Sequence, residues 1–85
     1  MINKIIIDGK YIKSKSDLYP PFRSRYDDLF GSNLNALHDV LSYNRYDDYI
    51  LYIYNASSLE ATLGSSYYNE FLDILKNDKV NFVIK

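Results

Sequence analysis

The sequence lacks cysteine altogether and contains only one histidine among its 85 residues. The absence of cysteine excludes a disulfide scaffold and any metal site built on thiolates. It also fits a reducing compartment, so we expect the protein to be cytoplasmic. With 47% hydrophobic and 25% charged residues, the composition is typical of a soluble globular protein and not of a disordered one. A chain of this length predicts a single domain over residues 1–85.

Long apolar runs are missing as well. The run Ile5 to Ile7 near the amino terminus is followed at once by Asp8, which is too short for the apolar region of an export signal. No stretch approaches the roughly 20 apolar residues that span a bilayer, and we expect no membrane association. The net charge of −1 argues against a protein that binds nucleic acid by neutralising phosphates.

The sequence also has few of the features that carry catalysis. Any nucleophile–histidine–acid triad would have to use His38, and its neighbour Asp39 points about 100° away on a helix, which makes an orienting hydrogen bond between the two awkward. There is no Gly-x-Ser-x-Gly elbow, no phosphate loop, no dinucleotide fingerprint and no His-x-x-x-His pair. We therefore expect no enzyme, no cofactor and no metal site.

The chain alternates between strand and helix patterns. β-branched residues predict a strand at about 3–7, and the apolar segments 49–54 and 80–84 predict two more. The segment 49–54 is apolar on both alternating faces, which indicates a strand buried on both sides at the centre of a parallel sheet. With the helices between them, the order is strand, helix, helix, strand, helix, helix, strand. This order predicts an α/β fold with a three-stranded parallel sheet and helices packed on it.

The four helices are predicted from caps and periodicity. One runs from 17 or 20 to 26, because Pro20 and Pro21 fit only near a first turn. The next covers about 34–43, with Asn33 as its cap. A capping box formed by Ser57 and Glu60 opens a short helix that Gly64 ends in the left-handed conformation. The last helix has Ser66 as its predicted cap, and its buried stripe consists of Tyr68, Phe71, Leu72 and Leu75.

The helix at 34–43 separates its polar and apolar residues completely. At about 100° per residue, one arc holds the apolar members, which are Leu34, Ala36, Leu37, Val40 and Leu41. The opposite arc holds Asn35, His38, Asp39 and Ser42. This polar arc is therefore expected to face solvent or a partner.

Ten tyrosines in 85 residues are an excess. The simplest interpretation is that the tyrosines in predicted strands or helix stripes are core or boundary residues. These are Tyr49, Tyr52, Tyr54, Tyr67 and Tyr68. Tyr43 and Tyr46 lie at the exit of the second helix and just after it, and tyrosine is enriched at protein interfaces. These two tyrosines are candidates for partner contact.

The segment "GSNLNALHDVL", 31–41, resembles the signature of the barstar family, intracellular inhibitors of the secreted bacterial ribonuclease barnase. The positions that match are Gly31, Asn33, Leu34, Ala36, Leu37, Asp39 and Leu41. The opening "IIIDGKYIKSKSDL" is similar to the first strand, turn and helix start of that family, and the closing helix and strand agree in placement.

The resemblance implies an inhibitor or immunity protein that occludes a nuclease active site with the surface 29–46 and places carboxylates where RNA phosphates would lie. Asp39 matches the family's dominant anchoring aspartate. Departures occur at Asn35, His38, Leu29 and Asn77, where the family has an aspartate, a tryptophan, an aromatic residue and an acid. The implied partner-binding set is Asp39, Asn35, His38, Gly31, Asn33, Leu29, Ser42, Tyr43 and Asn77. The implied partner is an extracellular-type ribonuclease, and we expect a monomer when the protein is free.

Two alternatives stay open at this point. One is an interaction module of the same fold whose partner is not a nuclease. The other is binding of single-stranded RNA through exposed tyrosines, which a net charge of −1 disfavours.

Overall fold

The computed structural model describes residues 4–27, 29, 31–43 and 49–85. Within these ranges the strands are β1 (Lys4–Asp8), β2 (Ile50–Tyr54) and β3 (Asn81–Ile84). The helices are α1 (Pro20–Arg23), α2 (Leu34–Tyr43), α3 (Ala56–Leu63) and α4 (Ser65–Asn77). Two 3-10 turns, Gly9–Tyr11 and Lys15–Leu18, lie between β1 and α1. The predicted α/β fold and its element order are confirmed.

The sheet is parallel, and its strand order β1-β2-β3 follows the order along the chain. Two crossovers of the same hand in such a sheet place their helices on the same face. Accordingly Ile7 and Ile53 are buried on one face, whereas Ile6 on the other face is 47% exposed. The central position of β2 is confirmed. The prediction that β2 is buried on both sides is wrong, because Tyr54 is exposed on the uncovered face.

The buried side chains form one hydrophobic cluster between the sheet and the helices. In it the rings of Phe22 and Phe71 meet edge to face, with centroids 6.2 Å apart, and join α1 to α4. Helix α1 has only four residues and is shorter than predicted, with both prolines in its first turn. Among the described residues, no helix combines the length and the apolar character that crossing a membrane requires.

Two of the predicted helix caps are wrong. The residue before α3 is Asn55, which has the left-handed angles φ 53° and ψ 51°, so Ser57 lies inside the helix and forms no capping box. The Asn55 side chain instead donates to Asp8 Oδ1 at 2.7 Å and ties the start of α3 to the end of β1. Ser66 also lies inside its helix, because α4 begins at Ser65 directly after Gly64.

Gly64 separates α3 from α4 with φ +87° and ψ 149°. Its positive φ is as predicted, but its ψ is extended and not that of the left-handed helix. The stripe of α4 is largely confirmed, since Tyr68, Phe71 and Leu75 are buried and Leu72 is half-buried.

Helix α4 ends in a Schellman motif. The Val80 N–H donates to the Leu75 carbonyl at 2.9 Å, and the Lys79 N–H donates to the Lys76 carbonyl at 3.2 Å. Lys79 occupies the left-handed position of this motif with φ 60°. The motif turns the chain directly into β3 and places Asp78 at the helix end, where its side chain is only 2% exposed.

Candidate docking surface on helix α2

Helix α2 is built as the sequence predicts. The Asn33 side chain accepts a hydrogen bond from the Ala36 N–H at 2.8 Å, which satisfies one of the free donors of the first turn. Leu34, Leu37, Val40 and Leu41 are buried against the domain. The opposite side carries Asn35, His38 and Asp39, all exposed, and Ser42, which is half-buried. We call these four residues the polar face of α2.

The loop that leads into α2 is held by Arg23, the last residue of α1. Its Nε donates to the Leu29 carbonyl at 3.2 Å, and its Nη2 donates to the Gly31 carbonyl at 3.2 Å and to Ser32 Oγ at 2.6 Å. One planar guanidinium thus binds three acceptors of the same loop. The path of the loop, and with it the start of α2, is fixed relative to α1.

Gly31 is required in this loop for a steric reason. A Cβ atom at Gly31 would lie 2.9 Å from Ala36 Cβ and 3.2 Å from the Asn33 side-chain nitrogen. Real Cβ atoms essentially never approach another carbon so closely, so a larger residue would push the loop away from the first turn of α2. Gly31 therefore shapes the candidate surface through its backbone.

Asp39 lies near the middle of the polar face. Its side chain is exposed, and among the described residues its carboxylate has neither an ion-pair nor a hydrogen-bond partner. Ser42, one turn further on, donates its hydroxyl to the Asp39 backbone carbonyl at 3.1 Å. Within the described ranges, nothing neutralises the negative charge of Asp39.

His38 is tied to the end of α4. Its Nδ1 lies 2.8 Å from Oδ2 of Asp78, whose side chain is 2% exposed, while the imidazole is 50% exposed. This contact spans 40 residues of sequence and fixes the polar face relative to α4. Asn77, which we predicted from the sequence to contact a partner, is the last residue of α4 and directly precedes Asp78. Its side chain is exposed.

The outer residues of the predicted surface differ in exposure. Tyr43 at the end of α2 is 88% exposed and so is accessible to a partner. Leu29 is only 2% exposed and belongs to the core, so the prediction that its side chain contacts a partner is wrong. Its apolar side chain is buried, and its carbonyl accepts the hydrogen bond from Arg23. Residues 30 and 44–46 of the predicted surface, including Tyr46, lie outside the described residues.

The remaining tyrosines fall into the expected range of environments, with one exception. Tyr49 and Tyr68 are buried, and Tyr52 and Tyr67 are half-buried. Tyr54, at 37% exposure, lies on the uncovered face of the sheet.

Two residues important to this surface were missed by sequence reasoning, Arg23 and Asp78. No role was assigned to either residue from the sequence. Neither belongs to a local motif, since each acts on residues that folding brings close. A signal for Asp78 was nonetheless present, because it lies 3 and 7 residues after two apolar positions of the α4 stripe, Leu75 and Phe71.

Within the part of the chain that the structure describes, no three histidine, cysteine or acidic side chains come together in a way that could hold a metal ion. The polar face of α2 offers instead hydrogen-bond acceptors and the Asp39 carboxylate, which has no partner in the part of the chain that the structure describes. Such a face suits association with another macromolecule that presents donors.

The structure is a small α/β domain that presents the polar face of α2 on its surface. The family model described as "Barstar (barnase inhibitor)" matches residues 2–82. The chain belongs to the barstar family. This family consists of inhibitors and not of enzymes, and it binds ribonucleases as protein partners. A comparison with curated proteins gave no match.

Proposed function

We propose that this protein inhibits a microbial ribonuclease of the barnase type by inserting the polar face of α2 and the loop before it into the active-site cleft. The observation that carries the proposal is the exposed Asp39 carboxylate, which has no partner among the described residues and stands on a helix that is capped by Asn33 and tied to α4 through His38. A ribonuclease cleft binds phosphates with cationic side chains, and a carboxylate can occupy the same position. The proposal places the protein in the cytoplasm and its partner among secreted nucleases.

Rigidity of the surface supports this function. Arg23 holds the loop, Asn33 caps the helix, and Asp78 holds His38 at the other side of the face. A surface that is ordered before binding loses little conformational entropy in the complex, so more of the contact energy appears as affinity. On binding, the main conformational entropy that the Asp39 site loses is the rotamer freedom of the Asp39 side chain.

Electrostatics supports it as well. A carboxylate that becomes desolvated between guanidinium groups forms short, charge-assisted hydrogen bonds. At longer range, the opposite charges of the two partners attract each other, and salt screens this attraction with a Debye length of about 8 Å at physiological ionic strength. We therefore expect the association rate with a basic nuclease to fall as salt is added.

The second candidate is an interaction module of the barstar fold with a partner other than a nuclease. It is favoured by the low acidity of the polar face, where Asn35 and His38 leave Asp39 as the only carboxylate. The acid nearest to Asn77, which is Asp78, is buried against His38 and adds no free charge to this face.

The test is a titration of the purified protein into barnase and several other guanyl-preferring microbial ribonucleases, with RNA cleavage as the readout. We expect at least one of them to be inhibited stoichiometrically. No inhibition of any of them at micromolar concentration contradicts the proposal and favours the second candidate. A parallel measurement of direct binding to single-stranded RNA at physiological salt separates either candidate from RNA binding, for which we expect no signal.

A further inference from the structure

The pair formed by His38 and Asp78 determines which hydrogen bond the polar face of α2 can accept. Asp78 ends α4, and its carboxylate is almost completely removed from solvent. A buried carboxylate needs a hydrogen-bond donor, because removal of its charge from water is unfavourable unless a donor replaces the lost water. At this position the partial negative charge of the helix C-terminus adds to that need.

His38 Nδ1 lies 2.8 Å from the Asp78 carboxylate. An ionised carboxylate can only accept, so we assign the donated proton to Nδ1. In a neutral imidazole one nitrogen carries the proton and the other is an acceptor, and the hydrogen bond of one nitrogen fixes the role of the other. With the proton held on Nδ1, the second nitrogen, Nε2, is left with a free lone pair. Among the described residues Nε2 has no partner, and half of the side chain is exposed.

We propose that Asp78 is a positioning residue that locks His38 in the Nδ1-protonated form, so that Nε2 is a hydrogen-bond acceptor on the polar face and selects partners with a donor opposite it. This inference rests on the proposed function for the identity of the partner. Nε2 of His38, the carboxylate of Asp39 and the amide oxygen of Asn35 then form a set of acceptors on one side of α2. Their complement is a cationic, donor-rich cleft such as one lined by guanidinium groups.

The same arrangement discriminates against other partners. A partner that presents a carbonyl or carboxylate oxygen opposite Nε2 would bring two acceptors together, and both would lose their water without gaining a hydrogen bond. His38 thus contributes to specificity even where its contribution to affinity is small.

The first test is made on the free protein and does not depend on any nuclease. His38 is the only histidine of the chain, so a long-range ¹H–¹⁵N correlation spectrum contains a single imidazole and needs no assignment. At pH 8 we expect a protonated Nδ1 and a bare Nε2. Asp78→Asn replaces the charged carboxylate that accepts the Nδ1–H hydrogen bond with a neutral amide. In this variant we expect the Nε2-protonated form of His38 to become populated.

A wild-type spectrum with a protonated Nε2, whether as the other tautomer or as the imidazolium, overturns the proposal. If Asp78→Asn does not fold, the wild-type spectrum alone decides the question. An unchanged tautomer in a folded Asp78→Asn protein also counts against it, since Asp78 would then not be the residue that sets the proton position.

The second test compares two substitutions at His38 in binding to barnase. His38→Gln can keep an acceptor near the place of Nε2, whereas His38→Asn can keep only the contact with Asp78. We expect the glutamine variant to bind within about threefold of wild type and the asparagine variant to bind about tenfold more weakly, as one lost hydrogen bond predicts. Equal affinity of both variants and wild type overturns the role in specificity.

The two tests separate the two proposals. If wild type itself does not bind any ribonuclease tested, the proposed function fails and the partner assigned to Nε2 fails with it. The spectrum of the free protein still confirms or refutes the locked imidazole.

Discussion

The guanidinium of Arg23 donates a hydrogen bond to the carbonyl oxygen of Gly31 over 3.2 Å, although Gly31 belongs to the loop that enters α2 and Arg23 ends α1. The same guanidinium also holds the Leu29 carbonyl and the Ser32 hydroxyl. The basic side chain of Arg23 therefore holds the loop that leads into α2. The polar face of α2 beside this loop carries the negative charge of Asp39. In the proposed complex, Arg23 acts on binding through the loop and not by contact with the partner's cations.

Arg23 lends itself to the first prediction. Arg23→Lys keeps the charge but loses the planar fork, and Arg23→Ala loses both. We expect Arg23→Lys, which can keep one of the three hydrogen bonds, to destabilise the domain by about 1–2 kcal/mol, and Arg23→Ala, which loses all three, by about 2–3 kcal/mol. Both should weaken inhibition of a ribonuclease further. Urea unfolding measures the first effect and the RNA cleavage titration the second. Full inhibition by a folded Arg23→Lys protein would show that the loop does not need this side chain.

Asp39 carries the second prediction. Asp39→Ala leaves the fold intact, because the side chain is exposed and has no partner among the described residues, with an expected change in unfolding free energy within about 0.5 kcal/mol. It should weaken binding to the nuclease by about 3–5 kcal/mol, because the cations of the cleft lose their counter-charge. Isothermal calorimetry or inhibition kinetics measures this loss.

The matched control for Asp39 is Asp73→Ala, which removes an exposed acid from α4 on the side opposite the Phe71 and Leu75 stripe. It changes the net charge by the same amount and should leave affinity nearly unchanged. Equal losses for both variants would mean that overall charge, and not the position of Asp39, governs binding. Unfolding of Asp39→Ala would mean that Asp39 is structural.

Gly9 provides a prediction on stability. A Cβ atom there would lie 2.3 Å from the Asn55 carbonyl oxygen and 2.7 Å from the Leu59 nitrogen, both of which are backbone atoms that cannot move independently of α3. We expect Gly9→Ala to destabilise the domain by at least about 1–3 kcal/mol, the usual cost of overpacking. Thermal or urea unfolding measures it, and an unchanged midpoint would contradict the packing of the 3-10 turn against α3.

Lys79 provides a prediction of the opposite sign. It holds φ 60° in the Schellman motif, a position that glycine adopts without strain. We expect Lys79→Gly to stabilise the domain by about 0.5–1 kcal/mol, because relief of a left-handed conformation that costs about 1–2 kcal/mol exceeds the entropic cost of glycine. As a control, Lys76→Gly inside α4 should destabilise by about 1 kcal/mol. Loss of stability in both variants would contradict the left-handed assignment.

The hydrogen bonds of the Asp8 carboxylate lead us to expect that the stability of the domain depends on pH. The hydrogen bond from Asn55, with that from the Lys10 N–H, holds the pKa of the Asp8 carboxyl below its usual value of 3.8. A lowered pKa in the folded state means that this group contributes stability above pH 3.8 and loses that contribution as the pH falls through its folded-state value. We therefore expect the stability difference between wild type and Asp8→Asn to be constant above about pH 5 and to change below pH 3.8. A difference independent of pH down to acid unfolding would contradict the hydrogen bond.

The elements of the fold could be predicted because their signals are local. The run of β-branched residues Ile5 to Ile7 favours a strand, and the amphipathic pattern of 34–43 has the period of a helix. The cap at Asn33 was predictable for the same reason, since its side chain acts within four residues. The exposed position of Asp39 followed from the helical period alone.

What could not be predicted depends on contacts between distant segments. The left-handed Asn55 displaced the capping box at Ser57, because a hydrogen bond to Asp8, 47 residues earlier, favours that backbone conformation. Strand β2 is buried on a single face because both crossovers place their helices on that face. The sequence of no single segment reveals this. Leu29 was assigned to the surface by its place in the family signature, whereas its apolar side chain joins the core.

Helix α2 lies between β1 and β2 in sequence, and Asp78, which holds its histidine, lies three residues before β3. A chain still emerging from the ribosome therefore has the recognition helix long before it has the residue that orients it. Only after the last strand has been synthesised and paired can the surface reach its final form. A product that ends before Asp78 would therefore lack the contact that orients His38 in the proposed complex.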